Sequence, residues 1–191
     1  YDKALEPFDK ALALDPYAAP TRMFKALTLL DAGKYQDAAK LYAELLAEDP
    51  FKVYFQTQLS FAYLRAGELD KANQVLQNCL AMNPGSMEAQ SFVVLLLHQQ
   101  GKKDEALNLV AKLEKALETP DAKGNKPRLT ETLARNIGLA YKDAAQPEPA
   151  TRWLSQALKM DGTDHEAAAA LAALSGVSAP TAPAGTPGPQ G

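Results

Sequence analysis

From Gly33 to Pro50, in "GKYQDAAKLYAELLAEDP", apolar residues sit at Ala38, Ala39, Leu41, Tyr42, Leu45 and Leu46 with polar residues between them. That is the spacing of an amphipathic helix. Upstream, "RMFKALTLLDA" reads as another helix, broken by Gly33, which can take the left-handed conformation that closes a helix. Pro50 ends the downstream helix, because proline disfavours a helical residue before it and has no N–H to donate. The predicted unit is a helical hairpin.

The pattern then returns. "GELDKANQVLQNCLAMNP" begins at Gly67, and a worn version, "YDKALEPFDKALALDP", opens the chain. Glycine falls at 33, 67 and 101, alanine at 4, 38, 72 and 106, and proline at 16, 50 and 84, every spacing being 34. Three residue types in one period and one phase specify a row of hairpins. The small residues Ala38, Ala72, Ala106 and Ala150 let the two helices of a hairpin approach closely. Four residues on, Tyr42, Leu76, Val110 and Leu154 fill the space beside them.

At these residues the chain resembles the tetratricopeptide repeat family, whose pattern is W-x2-L-G-x2-Y, A-x3-F, P. The later part matches at Ala4 and Phe8 with Pro16, Ala38 and Tyr42 with Pro50, and Ala72 and Leu76 with Pro84. The first part is clearest in "IGLAY", where Ile137, Gly138 and Tyr141 take the L-G-x2-Y positions. Leu59, Ser60 and Tyr63 match fairly, and Lys25, Ala26 and Leu29 match poorly. The resemblance implies an all-α fold, a right-handed superhelix (α-solenoid) of helical hairpins with a C-terminal capping helix.

Phase sets the expected boundaries. A tetratricopeptide domain spans 1–174: the second helix of a truncated repeat (1–16), full repeats at about 19–50, 53–84, 87–118 and 131–162, and a capping helix at about 164–174. Thr163 or Asp164 would cap that last helix, and Ser175 with Gly176 would end it. Ala106 and Ala150 are 44 apart rather than 34, so about ten residues, Thr119–Arg128, are inserted as a surface loop or hinge. The uncharged Pro/Gly/Ala-rich segment 175–191 is expected to be disordered. The mid-repeat start at Tyr1 predicts that the natural N-terminus lies upstream.

Composition narrows the function. A net charge of −3 and a pI near 5.5 offer no basic stripe for phosphates, which argues against a nucleic-acid partner. The longest apolar run, "FVVLLL" at 92–97, is too short to insert directly into a membrane. Cys79 is the single cysteine, and His98 and His165 stand far apart with no cysteine near, so no metal or cofactor site is expected. No phosphate loop or nucleophile elbow is present, and we expect no enzyme. The alanine-rich composition has a bacterial look, while cytoplasmic, periplasmic and membrane-anchored placements all stay open.

Function then falls to the concave face. By the resemblance, it is lined by the second, fifth, ninth, twelfth and thirteenth residues of each repeat. The fifth positions are Met23, Thr57, Ser91 and Arg135, the ninth Leu27, Phe61, Leu95 and Leu139, and the twelfth Leu30, Leu64, His98 and Lys142. These twelve are the candidate peptide-binding residues, apolar over the first repeats and basic toward the last. Family members that grip a C-terminal carboxylate use lysine, asparagine and arginine at such positions. Here only Arg135 and Asn136 match, so an apolar helix or extended peptide is the better fit. The expected function is an interaction module (adaptor, scaffold or chaperone-like) with a protein or peptide partner. The alternatives are the noncatalytic repeat region of a larger protein and a self-associating assembly factor, a homo-oligomer. Leu27, Phe61 and Leu95 could instead simply seal contacts between neighbouring first helices.

Overall fold

The computed structural model describes residues 2–120 and 123–176. Among them are ten α-helices and no strand. They are α1 (Asp2–Leu14), α2 (Ala19–Asp31), α3 (Tyr35–Glu48), α4 (Val53–Arg65), α5 (Leu69–Met82), α6 (Met87–Gln99), α7 (Lys103–Glu118), α8 (Glu131–Asp143), α9 (Pro147–Met160) and α10 (His165–Leu174). The helices fall into two compact units, 1–115 and 116–191. From residue 177 onward, the segment expected to be disordered lies outside the described residues.

In the first unit α1 lies on α2, and then each helix packs on its successor from α2 to α6, with α4 also touching α6. The turns inside the hairpins explain the glycine period. Gly33 sits at φ 73°, its N–H donates to the Leu30 carbonyl (3.0 Å), and the Lys34 N–H reaches back to the Leu29 carbonyl (2.8 Å). This pair of bonds satisfies carbonyls that the end of a helix leaves open. Gly67 and Gly101 repeat the geometry. Behind the turns, Ala38, Ala72 and Ala106 are buried where the helices of a hairpin meet. Tyr42 is fully buried, its ring 6.5 Å from Tyr54 and 6.4 Å from Phe55 on the next first helix. Removing an aromatic ring of this size from water contributes on the order of 2–3 kcal/mol.

A second period runs through the polar residues. Arg22, Gln56 and Gln90 stand one repeat apart and donate to the main-chain carbonyls of Tyr17 (3.0 Å), Pro50 (2.9 Å) and Pro84 (2.8 Å). Each long side chain thus ties the first turn of a first helix to the loop before it. Arg22 adds two bonds to the Glu48 carboxylate, at 2.8 and 2.7 Å. One donor of each side chain is satisfied in this way at the same register of the repeat.

The second unit is the hairpin α8–α9 with α10 packed on both. Its helices meet more closely than an alanine would allow. A Cβ on Gly138 would stand 2.7 Å from Leu154 Cγ and 3.0 Å from the Leu154 backbone nitrogen. The equivalent positions in the first unit carry side chains: Ala26, Ser60 and Val94, all fully buried. The turn between α8 and α9 has Ala145, at φ 57°, where the other hairpins have glycine, yet it makes the same bonds to Lys142 and Tyr141. Asp164 caps α10, its Oδ1 accepting from the N–H groups of Glu166 (3.1 Å) and Ala167 (3.0 Å). Ser175 is the C-cap, followed by Gly176 at φ 67°.

Candidate functional site

Helices α2, α4 and α6 carry the candidate residues of the first unit. Their periodicity sorts these residues by depth. Leu30, Leu64 and Leu95 are buried, and Thr57 and Ser91 have no exposed surface. The Thr57 hydroxyl donates to the Tyr54 carbonyl (3.0 Å) and the Ser91 hydroxyl to the Glu88 carbonyl (2.7 Å). Each hydroxyl has spent its single donor on its own helix, and burial keeps its remaining lone pairs out of solvent. Five of the expected contact residues therefore belong to the core.

Met23, Leu27, Phe61 and His98 are half-buried and keep some surface in solvent. Phe61 divides its ring between the two roles expected of it: its centroid lies 5.8 Å from that of Phe92, which seals α4 against α6. Tyr54 and Glu88, at the second position of their repeats, are also half-buried. Burial pushes both the Tyr54 hydroxyl and the Glu88 carboxyl above their ordinary ranges. Sequence reasoning did not single these two out, although counting second positions would have found them. At the end of α4, Arg65 lies 5.4 Å over the Tyr35 ring and donates to its hydroxyl (3.1 Å). The first unit thus offers a small apolar strip, Met23, Leu27 and Phe61, beside a tyrosine and a carboxyl group.

In the second unit the basic side chains meet carboxyl groups. Arg135 Nη1 bonds Glu131 (2.8 Å) and Asp164 (3.3 Å), and its Nε lies 3.6 Å from Glu166. Three carboxyl groups surround one guanidinium. Lys142 pairs with Asp143 at 3.6 Å, Leu139 is buried, and Asn136 is fully buried. Arg135 is thus engaged with the protein's own carboxyl groups, and Asn136 is enclosed.

Burial, a hydrogen bond to Asp164 and the nearby Asp164 charge push Glu131 up to about 7, against the pull of Arg135. Burial also resists ionisation of Asp164, but its bonds with Glu131, the Ala167 N–H and Arg135 outweigh this and hold its carboxyl below the usual range. The i,i+4 spacing of Glu131 and Arg135 was visible in the sequence. Asp164, 29 residues beyond Arg135, was not.

Other candidate chemistry is quiet. Cys79 is fully buried, and burial, with the charge of Glu88, pushes its thiol up, away from the reactive thiolate. Among the described residues, no cluster of three or more His, Cys, Asp or Glu could hold a metal ion. Among them, too, no helix is long and apolar enough to cross a membrane.

Comparison with known proteins gives a consistent result. The tetratricopeptide repeat family matches residues 29–76 and 63–124. Superkiller protein 3 of Schizosaccharomyces pombe is 26% identical over 175 residues, which are 88% of this chain and 12% of that protein. The chain therefore spans a small part of that relative. Among solved structures, a thermophilic tetratricopeptide protein of Thermus thermophilus superposes with a TM-score of 0.66 at 20% identity, covering 93% of this chain and 91% of the other. Cut9, in its hetero-tetramer with Hcn1, superposes with a TM-score of 0.64 at 18% identity, covering 91% of this chain and 33% of the other. At such identities the likeness concerns the fold, which is an all-α solenoid of tetratricopeptide type. With half the chain matched by the family, this chain belongs to the tetratricopeptide repeat family, whose members are in general noncatalytic protein–protein interaction modules.

Proposed function

We propose that this protein binds a polypeptide segment, an amphipathic helix or an apolar peptide, along the first helices of its first unit. The observation behind this reading is the strip of Met23, Leu27 and Phe61. These residues keep apolar surface in solvent at family inner-face positions, while Leu30, Thr57, Leu64, Ser91 and Leu95 at such positions turn inward. The inner-face residues Thr57, Leu64, Ser91 and Leu95 then act as the floor that holds the strip in place. Such a surface suits alternate apolar anchors of a peptide. Cut9 is a relative in fold that assembles with another protein, which is consistent with an adaptor or scaffold role here.

The test is capture from the source organism's lysate with the whole protein, beside a Met23→Glu, Leu27→Glu variant of unchanged helix content and melting temperature. A partner held by the first and lost from the second supports the strip. Identical catches would remove it.

A second reading, self-assembly through α1, has its own observation. Ala4 and Ala11 are exposed, whereas their equivalents Ala38, Ala72, Ala106 and Ala150, and Leu45, Cys79, Leu113 and Ala157, are buried. A face that is core elsewhere in the chain is a ready contact for a further helix. Sedimentation showing only monomer over a wide concentration range would exclude association through it.

A further inference from the structure

We propose that α10 is a proton-controlled cap, held on α8 by the Glu131–Arg135–Asp164 cluster while Glu131 carries a proton and loosened when Glu131 ionises. The geometry carries the first half. Arg135 on α8 reaches Glu131 on its own helix, Asp164 at the N-cap of α10 and Glu166 in the first turn of α10. One side chain therefore ties the two helices at the point where α10 begins.

The apolar hold on α10 is slight. Its buried residues are Ala167 and Ala170, with Leu171 and Leu174 only half-buried, while α8 buries Leu133, Ile137 and Leu139. Alanine offers little more than one methyl group to bury, so the polar cluster supplies a large share of the docking.

The cluster also has a defined proton. Asp164 is the carboxyl that stays ionised, because it accepts the α10 N–H groups and sits at the positive end of that helix. Glu131 meets the same Arg135 nitrogen as Asp164, at 2.8 and 3.3 Å, so the two carboxyl groups are neighbours. Glu131 is the one placed to hold a proton and donate it to Asp164. Loss of the Glu131 proton to water removes that bond and leaves Glu131, Asp164 and Glu166 around the single charge of Arg135. Thr132 still donates to Glu131 (3.1 Å), and Asp161, in the loop before α10, is occupied with Thr163 (2.8 and 2.6 Å). His165, at the start of α10, is exposed. The charges of α9, at Glu148, Arg152 and Lys159, are exposed as well, so the cluster itself is the titrating contact.

The direction follows from linkage. Docked Glu131 titrates at about 7 against an ordinary 4.5, so the docked cap holds a proton that the released chain gives up. Docking therefore weakens as pH rises from 4.5 to about 7 and levels off above that. Asp164 works the other way, losing its contribution only as pH falls below its ordinary 3.8. What ionisation uncovers is the side of α8 and α9 that already holds one helix.

Amide hydrogen exchange on Ala168–Leu174 in the full chain tests this, with rates corrected for the intrinsic effect of pH. The opening constant of α10 should rise about tenfold or more between about pH 5 and pH 8. In Glu131→Gln, which keeps a neutral donor toward Asp164, α10 should stay protected with no such rise. In Arg135→Gln it should be open at every pH. A flat wild-type profile, the same rise in Glu131→Gln, or an α10 in that variant open throughout would overturn the proposal.

Discussion

In the first unit the contacts between helices are made by rings and aliphatic chains: Tyr42 against Tyr54 and Phe55, and Phe61 against Phe92. In the second, α8 and α9 meet through the missing side chain of Gly138, and α10 is fastened by a guanidinium among three carboxyl groups. Both units follow one hairpin plan. Their energetics differ, because apolar burial has no titrating group and little directionality, whereas the cluster at Arg135 depends on one proton and on distances of a few tenths of an ångström. The apolar contacts of the first unit carry no charge for pH to change, whereas the contact between α8 and α10 is made by charged groups.

The sharpest way to break the first unit is Tyr42→Ala. Emptying so large a buried volume should cost about 3–5 kcal/mol, equally at acidic and neutral pH, as read by urea denaturation. The next effect separates the units without a mutation. Wild-type stability of the second unit should fall by on the order of 1–3 kcal/mol as pH rises from 4.5 to about 7, and Glu131→Gln should remove that slope.

Gly138→Ala comes third. Overpacking against Leu154 outweighs the better helix propensity of alanine, for a net loss of about 1–2 kcal/mol. Adding Leu154→Ala should give a double variant less damaged than the sum of the two singles, and additivity would show that Gly138 is not limiting the helix approach. The smallest effect is a gain. Ala145→Gly relieves a left-handed alanine at φ 57° and should stabilise the second unit by about 0.5–1 kcal/mol in thermal melts.

Much of the fold was legible because its signals are local. A glycine at a left-handed turn, an alanine where two helices touch and a proline after the second helix each act within a few residues, and their common period multiplies the signal. The polar period Arg22, Gln56 and Gln90 was written just as plainly. It passed unread because polar residues near helix starts are usually solvated.

The candidate site was less legible. Met23, Thr57 and Ser91 share one register, yet Met23 keeps part of its surface in solvent while the other two are fully enclosed. Register gives the direction of a side chain, and exposure depends on side-chain length and on the neighbouring helix. Arg135 reads in sequence as a cation facing a groove, and in the structure it is the centre of an acidic cluster.

The sequence by itself determined that this is a chain of helical hairpins, where each turn falls and which face of each helix is apolar, since those properties depend on residues a few positions apart. Tertiary structure alone decided which inner-face residues remain in solvent, how closely α8 and α9 approach, and that Glu131 and Asp164 meet at one guanidinium. Each of these is set by groups brought together from distant parts of the chain, where burial and neighbouring charge, rather than residue type, determine the outcome.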